Sequence, residues 1–324
     1  MRSSAHPAEP GRPPSHQSGF HQRWGHLRDP HVRTLAWLLD APALLDPDAP
    51  EWAGRIASLP TADDATAAWL AALDRAPAPL HAALDMQPFT RLGRYAENLL
   101  GYYLREHGHL VAHNLQVRAE KGGTIGEFDF ILRADNGALM HWEFATKLYL
   151  LETEGAGHVA DYFVGPNLAD TLGAKIRKIM DHQLALSAHP AAQPVLPEPV
   201  AAAQALVKGW LFYHRATPQV AAPAGIAHAH CRGFWCALDE FAGDAASRYA
   251  ILPRLSWLAP ARVPVEEGMD RDTLLRELAQ RLSGDAAPVL VAILEPAGGD
   301  LLEVDRGFVV PDDWRERARR RLSG

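Results

Sequence analysis

The chain has 324 residues, 48% of them hydrophobic and 22% charged, which suits a globular protein of one large domain or two modest ones. Its 32 basic and 39 acidic residues give a formal net charge of −7, which excludes a surface coated with phosphate-binding cations but allows a local basic groove. Two cysteines make no disulfide framework, no apolar run is long enough to span a membrane and no signal-peptide core begins the chain, so we expect a cytoplasmic protein.

In the first 88 residues the sequence predicts helices and indicates no catalytic or ligand-binding residues. Residues 1–20 are rich in Pro, Ser, Gly and His, a composition typical of a disordered tail. Short helical patterns follow between Pro and Asp turns, in RTLAWLL, EWAGRIASL and ATAAWLAAL. We expect residues 21–88 to form a helical N-terminal region that caps the rest of the molecule.

Residues 89–260 have the pattern of a mixed α/β core. A helix, LGRYAENLLGYYLREHG, and a strand, HLVAHNLQVRAE, are predicted first. Two further strands joined by the turn DNG are predicted in GEFDFILRADNGALMHWEFATKLYL, residues 126–150. An amphipathic helix, TLGAKIRKIMDHQLAL, a surface loop over 188–203 and two strands, KGWLFYHR and CRGFWCAL, complete the core.

Residues 261–324 are predicted to form a C-terminal α/β extension. It comprises a helix, RDTLLRELAQRL, a hairpin of PVLVAILEP and LLEVDRGFVV, and a basic helix, WRERARRRL. The basic helix is either a solvated face, with charges suited to its C-terminal end, or a contact for nucleic acid. The fold class is therefore α/β, with a mixed central sheet flanked by helices.

The strands of residues 126–150 carry charges where a buried strand should be apolar. Side chains alternate between the two faces of a strand, so Phe128 and Phe130 are expected on one face and Asp129 on the other. The same rule places Glu143 and Lys147 together on the next strand. Pairing of the two strands then sets Asp129, Glu143 and Lys147 on one surface.

Two carboxylates a few ångströms apart repel each other, most strongly where water is excluded. A divalent cation relieves this repulsion, and hard oxygen ligands with some retained water suit Mg²⁺. A salt bridge from Lys147 to one of the two acids is the alternative, but it would relieve only part of the repulsion.

Glu97, on the preceding helix, is a candidate third carboxylate. It lies opposite the main apolar face, with Gly93 and Gly101 one turn before and after it. Glycine inside a helix costs up to about 1 kcal/mol relative to alanine, so this pair indicates that a strand or a substrate packs closely there. The alternative is a solvated glutamate, although Leu104 continues the same stripe.

The helix after the hairpin places Gln183 in an apolar stripe, flanked by Lys175 and His182. A buried amide needs hydrogen-bond partners, which a substrate phosphate, a catalytic side chain or a neighbouring carbonyl could supply. These possibilities stay open on the sequence alone. Asp170 suits the N-cap of this helix.

The order of these motifs resembles the PD-(D/E)XK nuclease superfamily: a helix-borne Glu, G-E-x-D opening a strand, a Glu on the next strand, a downstream lysine, then a helix. GEFDFILRAD followed by HWEFATK is especially similar to the GEID…EVK signature of its small resolvase-like members, and the resemblance covers roughly residues 90–215. The chain also resembles, through HWEFATKLYL, FVGPNLAD and KGWLFYH, a bacterial family of domains of unknown function, numbered 1853. Both resemblances imply a restriction-endonuclease-like core.

The nuclease resemblance implies that Glu97, Asp129 and Glu143 hold Mg²⁺ or Mn²⁺. Lys147 would orient or activate a water molecule for hydrolysis of DNA or RNA phosphodiesters, at a metal that also offsets charge building on the phosphorus. The superfamily pattern places its lysine two residues after the acid, where this chain has Ala145. Lys147 keeps the same face but lies about 7 Å farther along the strand.

Gln183 and Lys175 match the auxiliary, substrate-binding motif that the resemblance implies. A second function fits the displaced lysine: a catalytically degenerate nuclease fold that binds nucleic acid or protein. Glu97 pointing to solvent, or Lys147 paired with a distant acid, would favour this binding module. The sequence indicates no oligomeric state.

A loose His/Cys cluster in HAHCRGFWC is a minor candidate for zinc: His228, His230, Cys231 and Cys236. Structural zinc sites usually combine ligand pairs from two knuckles, whereas these two cysteines are expected on opposite faces of a strand. Buried cysteines are the alternative. The sequence contains no phosphate-binding Walker loop, dinucleotide-binding glycine motif or serine-hydrolase elbow.

Overall fold

The computed structural model of the protein describes residues 15–84, 91–119, 122–152, 160–217, 222–243, 245, 247–284 and 287–323. These residues form eight α-helices: α1 (His16–Trp24), α2 (Pro30–Asp40), α3 (Asp64–Arg75), α4 (Ala78–Leu84), α5 (Leu92–Glu106), α6 (Leu172–Lys178), α7 (Arg271–Arg281) and α8 (Trp314–Ser323). They also form ten strands: β1 (Leu110–Arg118), β2 (Thr124–Arg133), β3 (Leu139–Leu151), β4 (Phe163–Val164), β5 (Ala202–His214), β6 (Cys231–Ala237), β7 (Arg248–Ile251), β8 (Arg262–Pro264), β9 (Val289–Ala297) and β10 (Asp300–Val310).

The strands build one mixed sheet in the order β1-β2-β3-β5-β6-β10-β9-β7. Its centre is parallel, because β3, β5, β6 and β10 pair in the same direction. Antiparallel pairs extend it on both sides, β4 pairs with the end of β3, and β8 pairs with the start of β10. The predicted α/β class, with a mixed central sheet flanked by helices, is confirmed.

Helices cover both faces of this sheet. The larger core takes side chains from α1 to α5 and from α8, and smaller cores on the other face take theirs from α6 and α7. The central strand β3 contributes side chains to the cores on both faces of the sheet. Phe144 and Leu148 pack with the larger core, whereas Ala145 and Tyr149 pack under α6. A strand buried on both faces has no solvated side for charges, so each charge on β3 needs a specific partner.

The N-terminal region differs from its prediction in two places. Residues 1–14 of the predicted tail lie outside the described residues, but His16–Trp24 form a helix that buries Phe20 and Trp24. The helix predicted in EWAGRIASL is wrong. After one 3₁₀ turn at Pro50–Trp52 the backbone becomes left-handed, and Ile56 forms a bridge to Ala205 of β5.

The helix predicted in TLGAKIRKIMDHQLAL is interrupted. After α6 the chain makes one π-helical turn at Ile179–Gln183 and a 3₁₀ segment at Leu184–Ala188. Its N-cap is Thr171, whose hydroxyl accepts from Ala174 N–H, so the prediction of Asp170 as N-cap is wrong. Among the described residues, no helix is long and apolar enough to cross a membrane.

Candidate functional site

A cleft of about 550 Å³ opens where β2 and β3 separate. Their ladder ends at Phe130 opposite Trp142, and β3 next pairs on that side at Leu150, with β4. In the described part of the chain, the edge of β3 between these points is open and lines the cleft. The start of α5, the loop 165–170 and α6 supply other walls.

The strands separate at a local irregularity. Asn114 in β1 has φ 55°, a left-handed conformation that asparagine adopts more readily than most residues. At this level β2 changes its orientation as well, because Phe130 packs with the larger core and Phe128 packs on the opposite face. The prediction that both rings share one face is therefore wrong, and Asp129 lies at the change.

Where the backbone hydrogen bonds between β2 and β3 end, the side chain of Asp129 makes the next contact with β3. Its Oδ2 accepts a hydrogen bond from the backbone N–H of Phe144 at 2.9 Å. Burial, and next the carboxylate of Glu143, raise the pKa of Asp129 to about 7. Glu97 also raises this pKa, and Lys175 opposes the rise. The prediction that Asp129 and Glu143 lie side by side on the hairpin describes the structure correctly.

Glu143 is almost fully buried, with 1% of its surface exposed. Its Oε1 lies 2.9 Å from Nε2 of His141, and its Oε2 accepts from the amide of Gln183. Burial raises the pKa of Glu143 to about 7 and lowers the pKa of His141 to about 4. An ionised Glu143 only accepts, so the neutral imidazole then donates from Nε2. His141 was not among the predicted site residues, although its position two residues before Glu143, on the same face of the strand, was an available signal.

Lys175 and Gln183 form a chain of hydrogen bonds to this acid. Lys175 Nζ donates to Oε1 of Gln183 at 2.9 Å, and the amide nitrogen of Gln183 donates to Glu143. Burial, and next the positive charge of Lys147, lower the pKa of Lys175. Of the partners left open for Gln183, the structure thus provides a side chain of the site rather than a neighbouring carbonyl.

Lys147 also lines the cleft, but its side chain extends towards Asp170 rather than towards the carboxylates of Asp129 and Glu143. Its Nζ lies 3.7 Å from Oδ2 of Asp170, an oxygen that also accepts from the hydroxyl of Tyr149 at 3.1 Å. Lys175, in contrast, acts electrostatically on both Asp129 and Glu143. The catalytic role of Lys147 stays a prediction, and its contact with Asp170 is one that would favour the binding module.

Glu97 faces the sheet, so the alternative of a solvated glutamate is wrong. Its side chain is 12% exposed, and its Oε1 lies 2.8 Å from Nη1 of Arg94 and 3.0 Å from Nε2 of His113. The flanking glycines permit this approach: a Cβ on Gly101 would lie 3.2 Å from the His113 ring, and one on Gly93 would lie 3.9 Å from a side chain of β3. Close packing against a strand explains Gly101, whereas a Cβ on Gly93 would make only an ordinary contact.

The three predicted metal ligands do not come together as one cluster. In the described ranges, no group of three His, Cys, Asp or Glu side chains is placed to hold a metal ion. Asp129 and Glu143 are neighbours whose pKa values are raised by burial, and repulsion from Glu143 adds to the rise at Asp129, whereas Glu97 is held by Arg94 and His113. The residues present fit Mg²⁺ bound through two carboxylates, since this ion often keeps several waters. Glu97 as a third ligand stays a prediction.

The cleft is lined by nearly equal numbers of basic and acidic side chains. Five cationic side chains line it: Arg91, Arg94, Lys147, Lys175 and Arg254. Four acidic side chains also line the cleft: Glu97, Glu127, Asp129 and Asp170. Mixed charges of this kind suit a phosphate ligand that approaches a cation held by carboxylates.

The His/Cys cluster does not behave as a metal site. Cys231 and Cys236 are buried in different cores on opposite faces of the sheet. His230 lies within hydrogen-bond distance of the Tyr213 hydroxyl, at 2.8 Å, and of a backbone carbonyl. The alternative of buried cysteines describes the structure.

Comparison with curated proteins and with solved structures finds no match. A family model matches residues 33–310, a range that includes the cleft and all the residues predicted for the site. The match covers most of the 324 residues. The chain therefore belongs to the family described as domain of unknown function (DUF1853).

Proposed function

We propose that the protein is a cytoplasmic, metal-dependent nuclease that hydrolyses DNA or RNA phosphodiesters in this cleft. One observation carries the proposal: Asp129 lines a cleft of mixed charge and has the buried Glu143 as its neighbour, and the pKa of each carboxyl is raised to about 7. Ionisation of two adjacent buried acids lowers the stability of the folded protein, and a bound divalent cation offsets that loss. The motif order that resembles PD-(D/E)XK nucleases supports the same chemistry.

Asp129 and Glu143 would hold Mg²⁺ or Mn²⁺. The ion would supply Lewis-acid stabilisation and a water of lowered pKa. The chain's own groups orient these ligands: the Phe144 N–H fixes Asp129, and His141 with Gln183 fixes both oxygens of Glu143. Ligands held in this way need little reorganisation when a phosphate enters.

The two lysines take different parts in this proposal. Lys175 lies beside the carboxylates and is linked to Glu143 through Gln183, so its ammonium faces the charge that builds on the scissile phosphate. Lys147 lies towards Asp170 and binds a neighbouring phosphate of the substrate. Hydrolysis joins the water oxygen to phosphorus as one phosphorus–oxygen ester bond breaks.

A binding module without catalysis is the second candidate. Two observations favour it: the displaced Lys147 contacts Asp170, and Glu97 is engaged by Arg94 and His113. In this case the cleft binds nucleic acid or a protein and cleaves nothing.

The test is calorimetric titration of Mg²⁺ and Mn²⁺ into wild type and Asp129→Asn, with plasmid-nicking and RNA-cleavage assays on the same samples. Asp135→Asn, an exposed acid of the hairpin turn, is the matched control. We expect wild type and Asp135→Asn to bind metal and cleave, and Asp129→Asn to do neither. Metal binding without cleavage would favour the binding module, and no metal binding by wild type would overturn the nuclease proposal.

A further inference from the structure

The cleft has two walls, which belong to opposite faces of the sheet. Lys147 and Lys175 lie on the face that α6 covers. The start of α5 and the neighbouring 3₁₀ turn Arg254–Ser256 form the other wall, on the face of the larger core. Arg91 and Arg254 line this second wall and are exposed. The proposed chemistry uses neither of these arginines.

The cations of the cleft differ in whether they already have polar partners. Three of the five have a partner that also lines the cleft, in the pairs Arg94–Glu97, Lys147–Asp170 and Lys175–Gln183. The side chains of Arg91 and Arg254, in contrast, make no ion pair or hydrogen bond within the described part of the chain. The donors of these two guanidinium groups are therefore open to a ligand that carries negative charge.

Buried groups hold the segment that presents Arg254. The fully buried Arg306 donates to the carbonyls of Trp257 and Ala259, the latter at 2.8 Å, and the Trp257 indole donates to the carbonyl of Leu252 at 2.9 Å. The guanidinium of Arg254 lies over the fixed Trp257 ring, 5.4 Å from its centroid. This cation–π contact orients Arg254 without using its N–H groups, so the donors are held in place and stay free.

The two arginines lie beside the proposed metal site but do not belong to it. Gly93, two residues after Arg91, faces Thr146 of β3. Asp129 accepts from the Phe144 N–H, two residues earlier on the same strand. Two residues of a strand span about 7 Å. A phosphate bound by these arginines is therefore a different one from the phosphate at the carboxylates.

We propose that Arg91 and Arg254 form a second phosphate subsite, which binds a phosphate other than the scissile one on the wall opposite Lys147 and Lys175. The assignment rests on the proposed nuclease function and specifies its substrate as a strand that carries more than one phosphate. A guanidinium suits this role, because its planar fork of N–H donors matches two phosphate oxygens. Such a phosphate is either an internal diester or a terminal monoester of the strand.

The experiment measures binding without cleavage. Fluorescence anisotropy in EDTA, at several KCl concentrations, gives the Kd of a labelled single-stranded DNA for the full-length Asp129→Asn protein and for further variants of it. We expect Arg91→Ala and Arg254→Ala each to raise Kd about 5-fold, the upper end for an exposed ion pair. Each should also lower the slope of log K against log salt by about 0.7, the value for one phosphate contact on a single strand.

Arg105→Ala is the matched control, because Arg105 is exposed in the last turn of the same helix and does not line the cleft. It should change neither Kd nor the salt slope. Arg91→Lys and Arg254→Lys keep the charge and should keep the slope. Thermal unfolding separates binding from folding: the dipole of α5 disfavours a cation at its N-terminus, so Arg91→Ala should weaken binding without lowering Tm.

Oligonucleotides with and without terminal phosphates identify the source of the bound group. A loss of affinity in the alanine variants that is confined to phosphorylated ends assigns a terminal monoester, and an equal loss with both assigns an internal diester.

The same Kd and salt slope in Arg91→Ala, Arg254→Ala and Arg105→Ala would overturn the subsite. Absence of binding by the Asp129→Asn protein at about 0.1 mM, where non-specific nucleic-acid binders are at least half saturated, would overturn it as well. Absence of metal binding by the wild type would overturn the nuclease alone, because none of these samples contains metal.

Discussion

At the scale of single residues, the proposed metal site depends on Asp129 and Glu143, whose pKa values are raised to about 7, mainly by burial. Unfolded Asp and Glu ionise near pH 4, so between about pH 4 and pH 7 the folded protein holds protons that the unfolded chain has lost. The stability that these protons contribute is fully present below pH 4. It is lost as the pH rises through about 7.

We therefore predict that a rise from pH 5.5 to pH 8.5 lowers the free energy of unfolding of the metal-free wild type relative to that of Asp129→Asn. Urea denaturation in EDTA at several pH values measures this directly. Added Mg²⁺ should restore stability to wild type at pH 8.5, because it replaces the lost protons. An equal pH dependence in both proteins would contradict the prediction.

The two lysines give a second prediction. Lys175→Met should lower the single-turnover cleavage rate about 100-fold, as removal of one transition-state donor does in other enzymes. Lys147→Met should lower it less than about 10-fold and should act mainly through substrate affinity, since Lys147 extends towards Asp170. Rates measured at saturating and subsaturating oligonucleotide distinguish the two effects. The reverse order would restore Lys147 as the catalytic lysine.

The sequence predicted that the two central acids are neighbours because this depends on the pairing of one hairpin, whereas strict alternation of side chains fails at Asp129, between Phe128 and Phe130. Asp129 and Glu143 are joined by a short turn, so their proximity follows from the hairpin. Both partners of Glu97 were missed: His113 reaches it through the packing of α5 on β1, which no local pattern encodes, whereas Arg94 is its i−3 neighbour on α5 and was an available signal. The link from Gln183 to Glu143 depends on a π-helical turn, which periodicity does not predict.

At the scale of elements, the two glycines of α5 offer a matched comparison. Alanine at Gly93 would make an ordinary contact and should raise the free energy of unfolding by about 1 kcal/mol through helix propensity. Alanine at Gly101 would press against the rings of His113 and Phe130 at 3.2 and 3.3 Å, so this gain should be lost. Urea denaturation of both variants measures the difference. Equal stabilisation would show that the helix and β1 are not in close contact.

The elements themselves were predicted unevenly. The long periodic helix α5 and the hairpins have strong local patterns, and the structure contains them. EWAGRIASL has a helical pattern as well, but Ala53 and Gly54 adopt positive φ angles that end the 3₁₀ turn and lead the chain to β5. Tertiary pairing with the sheet outweighs local propensity there.

At the scale of the whole molecule, the C-terminal helix α8 is tied to the end of β3. Arg315 and Arg319 donate to the carboxylate of Glu152, which is 1% exposed, at 3.0 and 2.9 Å. Trp314 is fully buried and donates to the carbonyl of Pro166, in the loop that lines the cleft. These two arginines therefore serve neither as a solvated face nor, in this arrangement, as a nucleic-acid contact.

We predict that the double change Arg315→Ala with Arg319→Ala lowers the free energy of unfolding by about 3 kcal/mol, because it leaves a buried carboxylate unpaired. Adding Glu152→Gln should recover part of that loss, since a neutral amide is less costly to bury. Chemical denaturation of the double and triple variants gives both values. If the triple variant is no more stable than the double variant, the loss comes from packing rather than from the unpaired charge.

The unpaired stretch of β3 has a consequence for how copies of the protein meet one another. A free strand edge is a template for another chain, and proteins that expose one risk self-association. Here the free edge lies in a cleft in the interior of the sheet order, while the outermost strands are β1 and β7. The walls of the cleft stand between this edge and the edge strand of a second folded sheet, so the recess protects β3 from pairing with another copy of the protein.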